Sequence, residues 1–276
     1  DRAGLVSMQR QYRIRPLSEY LSEKPPAPAP QLQFPAWDEA RAGSVNFIAY
    51  MNFIRQFAPT VASEQEAMAR FAKIGIAAGR PFDPTKLDPA MRKAIEAGIA
   101  DAQKSLQASI GKTTSSVELF GTREFLGKDY VMQRAVGAAM GIYGNSKEEA
   151  YYAAFAVDAG DKPLDGSKRY MLRFTKDQVP PTKYFWSMTM YSLPKRLLVD
   201  NPIERYAIGS RTEGLKTNGD GSVDIFLQSS SPGKDKETNW LPTPQLGSFF
   251  MVLRMYGPEG ALAEGTWRSP QPEIVE

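Results

Sequence analysis

From residue 150 to residue 256, apolar and polar positions alternate with a period of two, whereas upstream they recur at three- and four-residue intervals. The alternating segments, near 150–158, 169–175, 184–191, 204–208, 223–228 and 247–256, predict β-strands. Turn signals separate them: Asp165-Gly166, Asn218-Gly219-Asp220-Gly221 and Pro232-Gly233. Strands without intervening helices favour an antiparallel sandwich or jelly roll over a doubly wound sheet. The Asn218–Gly221 stretch is expected to be a hairpin turn whose glycines supply positive φ.

The upstream half predicts helices. Residues 1–24 form a short helical lead, and five prolines between 25 and 35 make a semi-rigid extended strap. From Ser44 to Pro59, the spacing of Phe47, Tyr50, Met51, Ile54 and Phe57 predicts one packing stripe. Ser63 and Glu66 have the spacing of a capping box, which starts a helix running to about Gly75. Asp88-Pro89 starts another, with Met91, Ile95 and Ile99 on one side, ending near Ile110. A last helix is expected from Arg123 to about Ile142; on it Tyr130, Arg134, Gly137 and Gly141 share a face, the glycines allowing close backbone approach. The resulting architecture is α+β. An extended Pro-rich lead (1–43) and a helical segment (44–120) precede a mainly antiparallel, jelly-roll-like β-sandwich (121–276) that opens with its own helix. Trp267 is placed to anchor the tail.

Composition narrows the chemistry. The chain has 276 residues, 34 basic and 31 acidic, and the excess of three is too small to attract nucleic acid or a membrane surface by itself. No apolar run approaches the roughly 18 to 20 residues of a bilayer span. With no cysteine there is no disulfide framework or thiolate nucleophile, and with no histidine there is no Ser-His-Asp triad, His-ligated zinc or imidazole base. No cofactor motif is found. The start at Asp1, without a methionine, points to removal of a signal or of an upstream domain.

Alternation places Tyr184, Trp186, Met188 and Met190 on one face of the aromatic strand, the expected core face, and Phe185, Ser187, Thr189 and Tyr191 on the other. Arg254 shares a face with Phe250, Val252 and Tyr256, and a guanidinium in that setting needs a partner. Arg173 and Arg205, the latter beside Tyr206, raise the same question. One reading pairs each with a nearby aspartate or a backbone carbonyl. The other has two or three of them converge on an anion or carboxylate site. The loop from Asp158 to Gly166 lacks the ligand spacing of a calcium loop and reads as a connecting turn. Ser229-Ser230-Ser231-Pro232-Gly233 lacks phosphate-loop order. Candidate acid–base carboxylates such as Asp200, Glu204, Asp224 and Glu237 are too numerous to single out a pair.

Several ordered blocks carry a family resemblance. Phe185 to Tyr191, Asn201-Pro202 with Arg205-Tyr206, Asn218 to Ser222, Asn239-Trp240-Leu241-Pro242 and Leu253-Arg254-Met255-Tyr256 resemble the C-terminal domain of unknown-function family number 1214. Gly-Lys-Asp-Tyr (127–130), Arg134 and Gly144-Asn145 are similar to the family's leading helix, so that the resemblance covers about 120–270. Residues 1–110 are similar to the connector that joins this domain to an upstream partner, unknown-function family number 1254, which is missing here. The resemblance implies a jelly-roll-like fold with a helical attachment, a bacterial and exported setting, and homo-oligomerisation. It implies no reaction.

Three functions remain open. The first is a β-sandwich module, periplasmic or secreted, that binds a carbohydrate or anionic small molecule in a polar-aromatic pocket drawn from Tyr130, Arg134, Ser187, Thr189, Tyr191, Arg205, Tyr206 and Arg254. The second is a histidine-independent hydrolase or lyase whose site an upstream domain completes. The third is a structural oligomerisation module, and a cytoplasmic setting stays open for all three.

Overall fold

The computed structural model describes residues 2–28, 31–127 and 130–275. Ala29 and Pro30 of the proline run, and Lys128 and Asp129 of the 127–130 block, lie outside the described residues. The chain divides into two units, residues 1–99 and residues 100–276.

In the first unit the lead forms α1 (Arg2–Gln9) and α2 (Leu17–Tyr20), followed by α3 (Phe47–Arg55), α4 (Gln65–Ala72) and the start of α5 (Pro89–Lys112). Asp88 caps α5 as its position predicts, its Oδ1 accepting from the amides of Ala90 (2.9 Å) and Met91 (3.2 Å). A small core gathers Val45, Ile48 and Ile95 with Ile74, Ile76, Phe82, Leu87, Met91 and Ile99 around it.

Two expectations about this unit are corrected. No side-chain cap starts α4; the chain enters it through the 3₁₀ turn Ala62–Glu64 rather than through a Ser63 capping box. The stripe expected along α3 is also rotated. Ile54 is 58% and Phe57 51% exposed, and the buried positions are Ile48, Tyr50 and Asn52.

The cause is polar. The Nδ2 group of Asn52 donates to the carbonyls of Gly75 (2.9 Å) and Arg80 (3.0 Å), its Oδ1 accepts from the amide of Ala77 (2.9 Å), and its own carbonyl accepts from Gly79 (2.8 Å). A loop with few backbone partners of its own thus closes on one buried amide. Elsewhere on α3, Tyr50 and Phe53 receive the end of the proline strap. Trp37 packs on Tyr50 and Phe34 on Phe53, at centroid distances of 5.3 and 5.2 Å, and the Tyr50 hydroxyl donates to the carbonyl of Ala36 (2.7 Å).

The second unit holds α6 (Arg123–Leu126), α7 (Tyr130–Met140), β1 (Ala150–Phe155), β2 (Tyr170–Phe174), β3 (Thr182–Ser192), β4 (Leu197–Leu198), β5 (Ala207–Gly209), β6 (Val223–Gln228), β7 (Trp240–Pro242), β8 (Phe249–Pro258), α8 (Gly260–Ala263) and β9 (Glu273–Ile274). One sheet runs β1-β8-β3-β4, with β5 also paired to β3; the other runs β7-β6-β2-β9. The pairings are antiparallel except β6 with β7, which is parallel. The α+β sandwich expected from alternation is therefore present.

Its core consists of inward positions from both sheets: Phe155, Trp186, Met188, Met190, Met251, Leu253 and Met255 from one, Leu172, Phe174, Ile225 and Leu227 from the other. Burying each large side chain stabilises the fold by roughly 1.5–3 kcal/mol. Trp267 closes the tail, its Nε1 donating to the carbonyl of Gln178 (3.1 Å). Among the described residues no helix is long and apolar enough to cross a membrane.

Four details of this unit differ from expectation. The helix expected over 123–142 is interrupted at Gly127, whose φ of +61° ends α6. Tyr184, expected inside, is 60% exposed, because the β3–β8 register shifts between Thr182 and Phe185. The turn 218–221 joins strands of different sheets, β5 and β6, and is no hairpin between paired neighbours; of its two glycines only Gly221 has positive φ (+83°). The strand expected at 204–208 begins at Ala207, after Arg205 and Tyr206.

Arg205 instead fastens the segment that leads into β7. Its Nη1 donates to the carbonyls of Glu237 (2.5 Å) and Trp240 (2.9 Å), and Asn201 Oδ1 accepts from its amide (3.0 Å). Asn239 works from the other side, accepting from Lys216 N (2.8 Å) and donating to the carbonyls of Lys216 (2.9 Å) and Asp224 (2.8 Å).

Two substitutions test these clamps in urea unfolding. Asn52→Ala is expected to cost about 2–4 kcal/mol, because it orphans one amide and two carbonyls, while Ile54→Ala costs less than about 1 kcal/mol; the reverse ranking would refute the orientation of α3. Arg205→Ala is expected to lose about 1.5–3 kcal/mol, with Arg205→Lys recovering part of it. Equal stability of Arg205→Ala and the parent protein would show that the clamp on 237–240 carries no load.

Candidate functional site

The face of the β1-β8-β3 sheet that does not enter the sandwich core carries Tyr152 and Ala154 from β1, and Val252, Arg254 and Tyr256 from β8, at alternating positions. Tyr152 stands opposite Arg254, Ala154 opposite Val252 and Ser187 opposite Arg254 on the other side. Cross-strand neighbours on one face lie close enough to touch. They form the floor of a cavity of about 380 Å³, a volume in the range of small-molecule sites.

Two segments make its walls. Thr114–Ser116 adds itself to the free edge of β1: the Ser116 amide donates to the carbonyl of Tyr152 (3.0 Å), Ser116 Oγ accepts from the Tyr152 amide (3.0 Å), and the Ala154 amide donates to the carbonyl of Thr114 (3.3 Å). This brings Leu119 and Phe120 over the floor as lining residues. The second wall is Met140–Asn145, following α7. Here glycine has a steric reason, since a Cβ at Gly144 would stand 2.3 Å from the Phe120 ring and one at Gly137 3.2 Å from it. Gly141, which was expected to allow close approach, has nothing within 4 Å of such a Cβ. The Asn145 amide donates weakly to the Tyr152 hydroxyl (3.4 Å), and Tyr143, with φ +62°, leaves its ring 90% exposed.

The electrostatics of the site centre on Arg254. Among the described lining residues it is the one charged side chain. Its Nη1 donates to Thr189 Oγ1 and its Nη2 to the Tyr191 hydroxyl, both at 3.0 Å, and its guanidinium carbon lies 5.9 Å from the Tyr191 ring centroid. Tyr191 is stacked in turn on Phe250 at 5.2 Å, and Tyr256 on Phe185 at 4.6 Å. Arg254 is thus held by neutral hydroxyls and an aromatic face. Burial pushes the Tyr152 hydroxyl up from its ordinary value, with Tyr256 adding to the rise and the Asn145 amide and Arg254 opposing it. Tyr152 therefore stays protonated, a donor rather than a base.

The eight residues singled out from the sequence are distributed as follows. Arg254 lines the cavity; Thr189 and Tyr191 hold it from the neighbouring strand; Ser187 is its register partner. Arg205 is turned to backbone carbonyls, and the carbonyl of Tyr206 accepts from the Met190 amide (3.1 Å). Tyr130 and Arg134 meet each other on α7, the guanidinium carbon 5.7 Å from the ring centroid, and are not among the lining residues. The convergence of Arg134, Arg205 and Arg254 on one concavity is not found among the described lining residues. Arg173 pairs with aspartates, its Nη2 2.9 Å from Asp220 Oδ2 and its Nη1 3.4 Å from Asp224 Oδ1. Ser222, by its hydroxyl and amide, and then Arg173, hold the Asp220 carboxyl at about 2.

Tyr152, Ser115, Ser116 and Phe120 went unrecognised in the sequence. Period-two spacing marks Tyr152, but no local signal shows a polar loop completing a sheet edge. Asp158 closes its own turn, accepting from Gly160 (2.9 Å) and Lys162 (3.0 Å) amides, and its carboxyl is held below the usual range by these bonds against its desolvation. Among the described residues no group of three or more acidic side chains could hold a metal ion.

Comparison with solved structures finds the VPA0106 protein from Vibrio parahaemolyticus, similar over 98% of this chain at 27% identity with a TM-score of 0.69. This chain spans 64% of that protein's length. An uncharacterised protein from Burkholderia cenocepacia matches half of this chain at 17% identity with a TM-score of 0.32, too low to bear on the fold. No curated protein matches. Residues 148–260, which carry β1 through β8 and hence the floor of the cavity, match the family model described as protein of unknown function (DUF1214).

Proposed function

We propose that the cavity on the outer face of the β1-β8-β3 sheet binds a small anionic molecule, with Arg254 as its anchor. One observation carries this reading: a half-buried guanidinium faces a cavity with no carboxylate among its described lining residues, and its hydrogen bonds go to neutral hydroxyls. A partly desolvated cation is stabilised by an opposite charge far more than by hydroxyls. Its remaining N–H groups are donors for such a ligand. Thr189 and Tyr191 act as positioning residues, fixing the plane of the guanidinium. A carbohydrate is the weaker fit, since an uncompensated cation adds little to a neutral polyol. Binding is also favoured over catalysis, because the described lining offers hydroxyls but no base to activate them.

A second role, self-association through the lead, is supported by a different feature. Met8, Tyr12, Ile14, Leu17, Tyr20 and Phe34 are all exposed, Ile14 completely. Six large apolar side chains left in water within one short lead are candidates for burial against a second copy.

The anion reading is tested by thermal shift against a panel of small anions and their neutral amides. A native-state ligand at roughly 100 times its Kd adds roughly 2.7 kcal/mol of stability, a rise of several degrees. The rise is expected with anions, absent in Arg254→Gln and reduced in Thr189→Val. An unchanged response in Arg254→Gln would remove the anchor. Self-association predicts a dimer or larger species by light scattering at micromolar concentration and a monomer for Ile14→Asp/Leu17→Asp; a monomeric parent protein would refute it.

A further inference from the structure

Resting on the anion-binding reading, we infer that the ligand is an amphipathic monocarboxylate: one carboxylate on Arg254 with an apolar body of about eight to ten carbon-sized groups. Three features of the cavity lead there.

The first is charge. One guanidinium is balanced by one negative charge. A phosphate or dicarboxylate would bring a second, and the described lining contains no second cation to meet it. An uncompensated charge in a partly enclosed cavity is costly. Dianion sites ordinarily answer with several cations or a row of backbone amides at a helix N-terminus. Here α7 turns its C-terminal end, at Met140, toward the cavity wall, the end that disfavours anions. Thr189 and Tyr191 accept one N–H from each terminal nitrogen, and the guanidinium keeps further N–H donors for a carboxylate oxygen.

The second is the surrounding chemistry. Tyr152, beside Arg254, presents a neutral hydroxyl that adds polarity next to the guanidinium without adding charge. Away from these groups the lining is apolar: Leu119, Phe120, Met140, Ile142 and Val252. A ligand consisting only of a charged head would leave that surface unused.

The third is size. About 380 Å³ holds roughly a dozen water-sized groups. A carboxylate takes two or three, which leaves the rest for an alkyl chain or an aryl ring with a short linker.

The experiment is calorimetric titration of the whole chain with butanoate, hexanoate, octanoate and decanoate, with octanamide, with glucose, with inorganic phosphate and with the chain-matched octanedioate. Affinity is expected to rise about fourfold per methylene and to level off by decanoate as the cavity fills. Octanamide should bind at least tenfold more weakly than octanoate. Arg254→Gln should abolish that difference and Arg254→Lys should retain part of it, which separates loss of the anchor from loss of the fold. Leu119→Ser should flatten the chain-length slope while keeping the preference of acid over amide. Tighter binding of phosphate or octanedioate than of octanoate would overturn the monocarboxylate class and leave the anion pocket standing. Affinity independent of chain length would overturn the apolar body. Binding of glucose alone, or of nothing in the series, would overturn this inference and the anion-binding reading together.

Discussion

Everything in the second unit depends on the pairing of β3 with β8. From Phe185 opposite Tyr256 to Ser192 opposite Phe249 the register is continuous. Strict alternation then sends Trp186, Met188 and Met190, with Met251, Leu253 and Met255, into the sandwich, and turns Thr189, Tyr191, Arg254 and Tyr256 to the other face. A slip by one residue would exchange the two sets, burying a guanidinium in the core and exposing four methionines. The hydrophobic core thus fixes the position of Arg254 more firmly than any contact Arg254 makes itself. The site's floor is a by-product of core packing.

The polar groups divide by how their partners are supplied. Arg173, at an exposed edge, pairs with two aspartates; such a pair is screened by water and contributes little to stability. Arg205 takes main-chain carbonyls, and Asn52 and Asn239 do the same with amides, so that each closes a loop lacking backbone partners of its own. Arg254 differs from all of these in having only side-chain hydroxyls. That contrast sets it apart as a candidate for function: the other two arginines meet carboxylates or main-chain carbonyls, and this one meets neutral hydroxyls beside a cavity it lines.

Periodicity made the strands legible, because a half-buried sheet imposes a period of two on any sequence that folds into it. Five of the six expected strands lie within a few residues of their observed limits, and Trp186, Met188 and Met190 were readable as core. Tyr184 and the start of β5 were not, since a register shift and a turn at Asn201–Glu204 are set by tertiary pairing. On α3 the apolar spacing pointed to Ile54 and Phe57, yet the helix rotates to bury Asn52, because three hydrogen bonds from one side chain outweigh a modest gain in apolar burial. The floor of the cavity was half legible: Arg254 and Tyr256 share a face by counting. The walls were not, since Ser116 joins Tyr152 across 36 positions and nothing local in Thr-Thr-Ser-Ser announces it.

The chemistry open to this cavity follows from the same geometry. Catalysis of acyl or glycosyl transfer needs a group that accepts a proton near neutral pH. Tyr152 moves in the wrong direction, its pKa raised by burial, and Thr114, Ser115 and Ser116 have no described base beside them in the lining. What the cavity has is a fixed cation, neutral donors and an apolar wall, a set that stabilises one charge distribution without changing it. Any reaction at this site would draw its proton acceptor from the bound molecule or from outside the described lining.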